Sequence, residues 1–156
     1  MAFDFLKAQG WPQETCAHVQ RCILTHSYSA GGKPQTLEAQ ILFDADKLDL
    51  SGAIGCARSL LFGAEIGEPW YRLDADGLPL PGKKSEEPSL FREYNKKLKK
   101  LKGSFYTEKA KKIAKKHQKT MNAYFKAMMD EVNTAYEDGV KILQETLFSE
   151  EYSSEE

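Results

Sequence analysis

Residues 43–55 of this chain read FDADKLDLSGAIG, and the local fold follows from how this stretch is organised. Three carboxylates, Asp44, Asp46 and Asp49, stand among apolar residues. Ionised groups are costly to bury unless they are paired, hydrogen-bonded or bound to a metal ion. The stretch therefore predicts either a polar network inside the fold or a cation site. The Ser51-Gly52 pair predicts the break between two helices.

Helix geometry limits which of these carboxylates can act together. Successive residues of an α-helix turn by about 100°, so Asp44 and Asp46 point about 200° apart and cannot both bind one ion. Asp46 and Asp49 are only about 60° apart. An alternative interpretation, which spacing alone leaves open, is that the carboxylates cap helices or form salt bridges with Lys47 or Arg58.

Outward from this stretch, apolar residues recur every three or four positions, which is typical of helices with one buried face. Residues 67–88 are rich in proline and glycine and predict an irregular excursion. No segment alternates apolar and polar residues, so the fold class is all-α, with a single helical domain over residues 1–148 and an acidic flexible tail over residues 149–156. The expected helices are Pro12 to about Thr25, Thr36 to Asp49, Ala53 to Ala64, Leu90 to Leu101, and a long C-terminal helix from Thr107 to Asp138.

The bulk composition argues against several classes of function. The chain has 156 residues, 41% of them hydrophobic, and a formal net charge of -1, which argues against a general nucleic-acid or membrane role. Between Arg92 and Lys119 the sequence has twelve basic residues and two acidic ones. Most of these lysines fall opposite the apolar stripes, so we interpret them as a solvated face rather than a nucleic-acid surface.

Cysteine usage indicates a reducing compartment. Cys16, Cys22 and Cys56 form no CxxC pair, and their odd number does not describe a disulfide framework or a zinc finger. The sequence shows neither a basic-then-apolar leader nor an apolar run approaching eighteen residues. We therefore expect a cytoplasmic protein with no membrane partner.

Histidine spacing raises a second possible site. His18, Cys22 and His26 recur at four-residue steps, but a zinc site would need a fourth ligand that the sequence does not supply nearby. His26 differs from His18 because it ends its helix directly before a flexible loop. An imidazole at that position can reach a substrate or a metal-bound water.

Four motifs in register resemble a known family. They are His26-Ser27-Tyr28-Ser29, Thr36-Leu37-Glu38-Ala39, Asp44-Ala45-Asp46-Lys47-Leu48-Asp49, and Gly52-Ala53-Ile54-Gly55 followed by Ala57-Arg58. Together they resemble the second half of an HD-domain phosphohydrolase, in the bacterial branch related to nucleotide pyrophosphohydrolases. The resemblance implies an all-α, cytosolic enzyme that uses a divalent metal such as Mn²⁺ or Mg²⁺ to hydrolyse a nucleotide or other small phosphorylated molecule.

The resemblance also implies roles for single residues. Asp46 takes the metal-ligand position of the family's alanine-aspartate-basic-leucine signature, with Asp44 as the alternative. His26 then lies near the metal-bound water or the substrate phosphate, as a catalytic residue. Arg58 and Lys33 are candidates to bind the substrate by neutralising its phosphate charge.

The chain departs from the family in one respect. The family holds its metal with an upstream histidine, a His-Asp pair and a later aspartate, and only the last of these is present in these 156 residues. We therefore expect that roughly the first third of the usual domain is missing, that the metal is held weakly or not retained, and that activity is impaired. The alternative hypothesis is a catalytically inactive helical remnant that binds partners or forms a homo-oligomer, which covers the apolar surface left exposed by the missing helices.

Overall fold

A computed structural model describes residues 1–27 and 32–152 of the chain. Within these residues the only regular elements are helices, and the single β-type pairing is an isolated bridge between Leu73 and Pro79. The all-α prediction is confirmed. The helices are α1 (Ala2–Ala8), α2 (Gln13–Leu24), α3 (Leu37–Asp49), α4 (Gly52–Glu65), α5 (Leu90–Lys96), a 3-10 helix (Leu98–Gly103) and α6 (Glu108–Tyr152).

Hydroxyl side chains cap the starts of several helices. The Thr36 hydroxyl accepts a hydrogen bond from the Ala39 backbone N–H at 3.3 Å and caps the start of α3. At α5, the Ser89 hydroxyl accepts from the Arg92 N–H at 3.2 Å. The prediction begins α2 at Pro12, but the helix begins at Gln13. Pro12 is its N-cap residue, because a ψ of 139° is extended and not helical.

The core forms where α6 lies across α4, α5 and the 3-10 helix. The rings of Tyr94 and Phe125 stack with centroids 4.1 Å apart. Because buried apolar surface is the main stabilising contribution in a domain of this size, this cluster holds α4 and α5 in fixed positions. The buried members of the cluster are Cys56, Leu90, Phe91, Tyr94, Leu98, Leu101, Met121 and Phe125.

The excursion over residues 67–88 is held against α5 by backbone hydrogen bonds. The Leu90 N–H donates to the Pro69 carbonyl and the Phe91 N–H donates to the Trp70 carbonyl, each at 3.0 Å. Further along, the Asn95 side chain donates to the Pro81 carbonyl at 2.8 Å. The predicted irregular segment is therefore confirmed and is anchored at both ends.

Two helix boundaries differ from the prediction. The helix expected to reach Leu101 ends at Lys96, and a 3-10 helix follows. Side chains three positions apart share one side of a 3-10 helix, so Leu98 and Leu101 are both buried by this change. The long helix continues to Tyr152 instead of ending near Asp138.

The predicted tail over residues 149–156 overlaps the end of α6, and residues 153–156 lie outside the described part of the chain. The division into domain and tail therefore stays a prediction. All three cysteines are buried free thiols, as expected for reduced residues. Among the described helices, none combines the length and the apolarity needed to cross a bilayer.

Candidate functional site

Asp44 is a buried capping residue at the junction of α3 and α6. Its side chain accepts hydrogen bonds from the Tyr106 N–H at 2.9 Å, the Thr107 N–H at 2.7 Å and the Thr107 hydroxyl at 2.7 Å. Thr107 in turn accepts from the Ala110 N–H at 3.3 Å. Both carboxylate oxygens of Asp44 are thus already used at the N-terminus of α6, where negative charge is favourable.

Asp46 lies on the surface of α3 and faces solvent. Its side chain is 42% exposed and pairs with the Lys47 ammonium at 2.6 Å, whereas the Lys47 side chain is only 7% exposed. The Lys47 nitrogen also lies 5.1 Å from the centroid of the Phe43 ring. Asp46 therefore neutralises a buried cation and still presents carboxylate surface to a ligand.

Arg58 of α4 forms an ion pair with Asp49 at the end of α3. Both side chains are about half exposed, so the pair contributes little to stability, but it fixes the guanidinium beside the acidic face of α3. Asp46 and Asp49 are three positions apart on one helix, which makes their side chains neighbours. The salt bridges that spacing alone suggested are therefore present, to Lys47 and to Arg58.

Arg58 also lies at the edge of a cleft of about 380 Å³ between α4 and α5. Clefts of this size are typical of sites for small molecules. Its lining is mostly apolar, with a few charged side chains at the edge. The lining includes Leu50, Phe62, Leu90 and Leu98, with Glu68 and Lys97.

His26 follows the end of α2 and Lys33 precedes the start of α3, and neither residue lines the cleft that contains Arg58. The His26 Nδ1 lies 2.5 Å from the Ile23 carbonyl oxygen, which makes Nδ1 the protonated nitrogen. Lys33 is exposed and lines a smaller pocket of about 220 Å³ with His18 and Arg21. The loop after His26 includes residues 28–31, which lie outside the described residues.

Glu38 stands beside this smaller pocket at the start of α3. Two hydrogen bonds lower the pKa of the Glu38 carboxyl. The larger effect comes from its own backbone N–H, and the smaller one comes from the Thr36 hydroxyl. The carboxylate lies 3.6 Å from His18 Nε2, and that nitrogen is 3.7 Å from the Cys22 sulfur. His18 and Cys22 thus have local partners, and the interpretation that they are not metal ligands stays a prediction.

Ser51 and His117 form a contact that no sequence motif indicated. The Ser51 hydroxyl donates to the Leu48 carbonyl at 2.7 Å, so His117 Nδ1, at 2.8 Å, must donate to the Ser51 oxygen. The two residues lie 66 positions apart in the chain. The contact joins the start of α4 to α6.

Several large apolar side chains of α3, of α4 and of the residue that follows α4 are exposed. Contiguous exposed apolar surface often marks a site where a partner binds. Exposed apolar side chains are what the alternative hypothesis predicts, and a binding or oligomerisation role stays a prediction. These side chains, with exposures from 39% to 72%, are Ile41, Leu42, Ile54, Leu61, Phe62 and Ile66.

The described residues do not form a complete metal site. Nowhere in residues 1–27 and 32–152 do three histidine, cysteine, aspartate or glutamate side chains lie close enough to share an ion. A lone carboxylate such as Asp46 leaves most positions of a divalent ion to water. The residues present therefore do not by themselves fit the metal that the family resemblance implies.

Comparisons with known proteins identify the fold. No family model matches the chain. The uncharacterized protein YpgQ of Bacillus subtilis (strain 168) is 25% identical over 134 residues, which make up 83% of this chain and 59% of YpgQ. The crystal structure of B. subtilis YpgQ in complex with ADP matches with a TM-score of 0.66 and 24% identity, over 83% of this chain and 59% of that chain.

The fold is shared with a solved hydrolase of the HD superfamily. An HD-superfamily hydrolase from Bacillus thuringiensis is 30% identical with a TM-score of 0.60, over 82% of this chain and 58% of that chain. The chain spans about three fifths of the length of these relatives. Over 82% of its length, this chain therefore has the helical fold of an HD-superfamily hydrolase, which confirms the resemblance that its motifs indicated.

Proposed function

We propose that this chain carries part of the active site of a metal-dependent phosphohydrolase that acts on a nucleotide or another small phosphorylated molecule. The observation that carries the proposal is the neighbouring placement of Asp46, Asp49 and Arg58 at the exposed junction of α3 and α4. The fold shared with an HD-superfamily hydrolase supports hydrolysis, and the ADP complex of YpgQ supports a nucleotide as ligand.

Asp46, rather than Asp44, is the residue to which we assign the metal. Both oxygens of Asp44 already hold the start of α6, whereas the Asp46 carboxylate is accessible and, within residues 1–27 and 32–152, pairs with Lys47 alone. Asp46 would supply one ligand to a divalent ion such as Mn²⁺ or Mg²⁺. The remaining ligands would have to come from outside the described residues, and alone the chain would hold the ion weakly or lose it.

Two cations and an imidazole have proposed roles toward the substrate. Arg58 can neutralise phosphate charge with the guanidinium donors that Asp49 leaves unused. Lys33 is exposed and able to contribute a further positive charge. His26 Nδ1 donates to Ile23, which leaves Nε2 for a ligand: without a proton it would orient water as an acceptor, and with one it would donate to phosphate. A cytoplasmic location remains part of this proposal.

Complementation tests the proposal. The chain is mixed with the segment of B. subtilis YpgQ that lies outside the matched region, and phosphate release from nucleotides is followed with added Mn²⁺. We expect activity in the mixture, its loss in Asp46→Asn, and its retention in Asp130→Asn, an exposed aspartate paired with Lys126 on α6. The absence of turnover in a mixture whose two parts cosediment would contradict the enzyme hypothesis.

A binding or oligomerisation role is the second candidate, and the exposed apolar face on α3 and α4 favours it. A second copy packing on this face would remove side chains such as Ile54 and Leu61 from water. Sedimentation of the chain alone should then show a dimer or larger species, reduced to a monomer by Ile54→Glu with Leu61→Glu. A monomer at high micromolar concentration would count against this role.

A further inference from the structure

The cleft between α4 and α5 has a composition suited to one particular kind of ligand. Its walls are apolar, formed by Leu50, Phe62, Leu90 and Leu98, and its volume of about 380 Å³ suits a small molecule. The Phe62 side chain is 61% exposed, so its ring is free to contact a flat ligand. A planar heterocyclic base would replace water on these surfaces.

The charged groups of the cleft differ in whether they already have partners. Lys97 pairs with Glu93 at 3.0 Å, and Arg58 pairs with Asp49. Glu68 is half-buried, and its carboxylate accepts no hydrogen bond from the described residues. A half-buried carboxylate that lines a cleft can accept a hydrogen bond from a ligand that supplies a donor.

We propose that this cleft binds the nucleoside part of the substrate, with a base lying against Phe62 and with Glu68 accepting a hydrogen bond from an exocyclic amino group. The proposal rests on the phosphohydrolase function proposed above and extends it to substrate class. Adenine carries such an amino group, whereas hypoxanthine presents an acceptor oxygen at the same position. Glu68 is therefore a specificity-determining residue for amino-bearing bases.

The position of Arg58 sets the direction of the bound nucleotide. Arg58 lines the cleft and also pairs with Asp49. Asp49 and Asp46 are three positions apart on α3, and the β-carbons of residues with this spacing on a helix are about 5–6 Å apart. A nucleotide with its base beside Phe62 and its phosphates at Arg58 thus extends toward Asp46. The cleft and the acidic face of α3 become the two ends of one elongated site.

The test compares two nucleotides that differ at one group. Binding of ADP and of inosine diphosphate to the full chain is measured by calorimetry in EDTA, so that no metal contributes. We expect the wild type to bind ADP more tightly than inosine diphosphate. Glu68→Gln should weaken ADP about fivefold and strengthen inosine diphosphate, because an amide can donate to the hypoxanthine oxygen.

Two further variants separate the cleft from general effects. Phe62→Ala should weaken both nucleotides by a similar factor, and its side chain is exposed enough for the fold to tolerate the change. Glu87→Gln, at an exposed glutamate outside the cleft, should bind both nucleotides like the wild type.

Two results would overturn the inference, and each has a different meaning for the enzyme hypothesis. If Glu68→Gln and Phe62→Ala bind both nucleotides like the wild type, the cleft is not the nucleoside site, while the assay with Asp46→Asn still decides the phosphohydrolase function. If complementation gives turnover of phosphorylated sugars but the chain binds neither nucleotide, the nucleoside assignment fails and hydrolysis stands.

Discussion

The carboxylate of Asp44 lies 2.7 Å from the backbone nitrogen and 2.7 Å from the hydroxyl of Thr107, a residue 63 positions later in the chain. This contact joins α3 to the first turn of α6. Asp44 and Asp46 therefore have different roles. Asp44 accepts hydrogen bonds from backbone N–H groups inside the fold, whereas Asp46 faces outward.

Removing the Asp44 carboxylate should destabilise the fold. Asp44→Ala leaves the N–H groups of Tyr106 and Thr107 without their acceptor in a partly buried setting. We expect a loss of about 3 kcal/mol in the free energy of unfolding, measured by urea denaturation. Asp130→Ala, which removes an exposed ion pair, should cost less than about 0.5 kcal/mol, and equal losses would contradict the capping role.

Gly82 and Gly77 should respond differently to the same substitution. Both have a positive φ, of 79° and 78°, but a β-carbon at Gly82 would lie 2.4 Å from the Phe91 carbonyl carbon, whereas one at Gly77 would meet nothing within 4 Å. Gly77→Ala should cost about 1 kcal/mol from backbone strain alone. Gly82→Ala should cost clearly more and lower the thermal midpoint further, and the reverse order would argue against the close packing of the excursion on α5.

The Ser51 hydroxyl should stabilise the protein through His117. In Ser51→Ala, the His117 Nδ1 proton loses its acceptor and the Leu48 carbonyl loses a donor. We expect a loss of about 1–2 kcal/mol in chemical denaturation. Ser59→Ala is the matched control, because in the described part of the chain that hydroxyl donates to the Gly55 carbonyl within the same helix, and the change should stay within about 0.5 kcal/mol.

Burial of Cys56 predicts a specific pH dependence. Removal from water raises the pKa of the Cys56 thiol above its ordinary value of 9.0. The folded protein therefore favours the protonated thiol. The contribution of this preference to the free energy of unfolding is fully present below about pH 9, and it is lost as the pH rises through the pKa of Cys56 in the folded state. Cys56→Ala should therefore lose less stability than the wild type between pH 8.5 and 10.5 in parallel urea titrations.

The same burial predicts low thiol reactivity. At pH 8 the native protein should react with a thiol reagent at least about tenfold more slowly than the urea-unfolded protein, because the thiolate is the reactive form and all three thiols are buried. Fast labelling of one native thiol would show that the helices around it open readily.

Much of the helical architecture was predictable because it depends on local periodicity. The apolar spacing of α2, α3 and α4, the Thr36 cap and the break at Ser51-Gly52 are short-range features, and the structure has them. The end of α5 was not predictable from spacing, because residues 98 and 101 fit either an α-helix or a 3-10 helix. Packing against α6 favours the 3-10 helix.

The candidate site was only partly predictable for a related reason. Helix geometry showed that Asp44 and Asp46 point in different directions, and the motifs favoured Asp46, but neither could show which carboxylate was buried. The partners of Asp44 and of Ser51 lie 63 and 66 positions away. Nothing in the sequence indicated Glu68, because a single glutamate in a loop has no pattern.

The sequence by itself determined that this chain is helical, where most of its helices begin, and which family its motifs resemble, since these depend on residues close together in the chain. Only the tertiary structure decided that Asp44 supports α6, that Asp46 and Arg58 face outward beside exposed apolar side chains, and that α4 and α5 enclose a cleft. Those properties depend on which helices lie next to one another, and packing of side chains distant in sequence decides that.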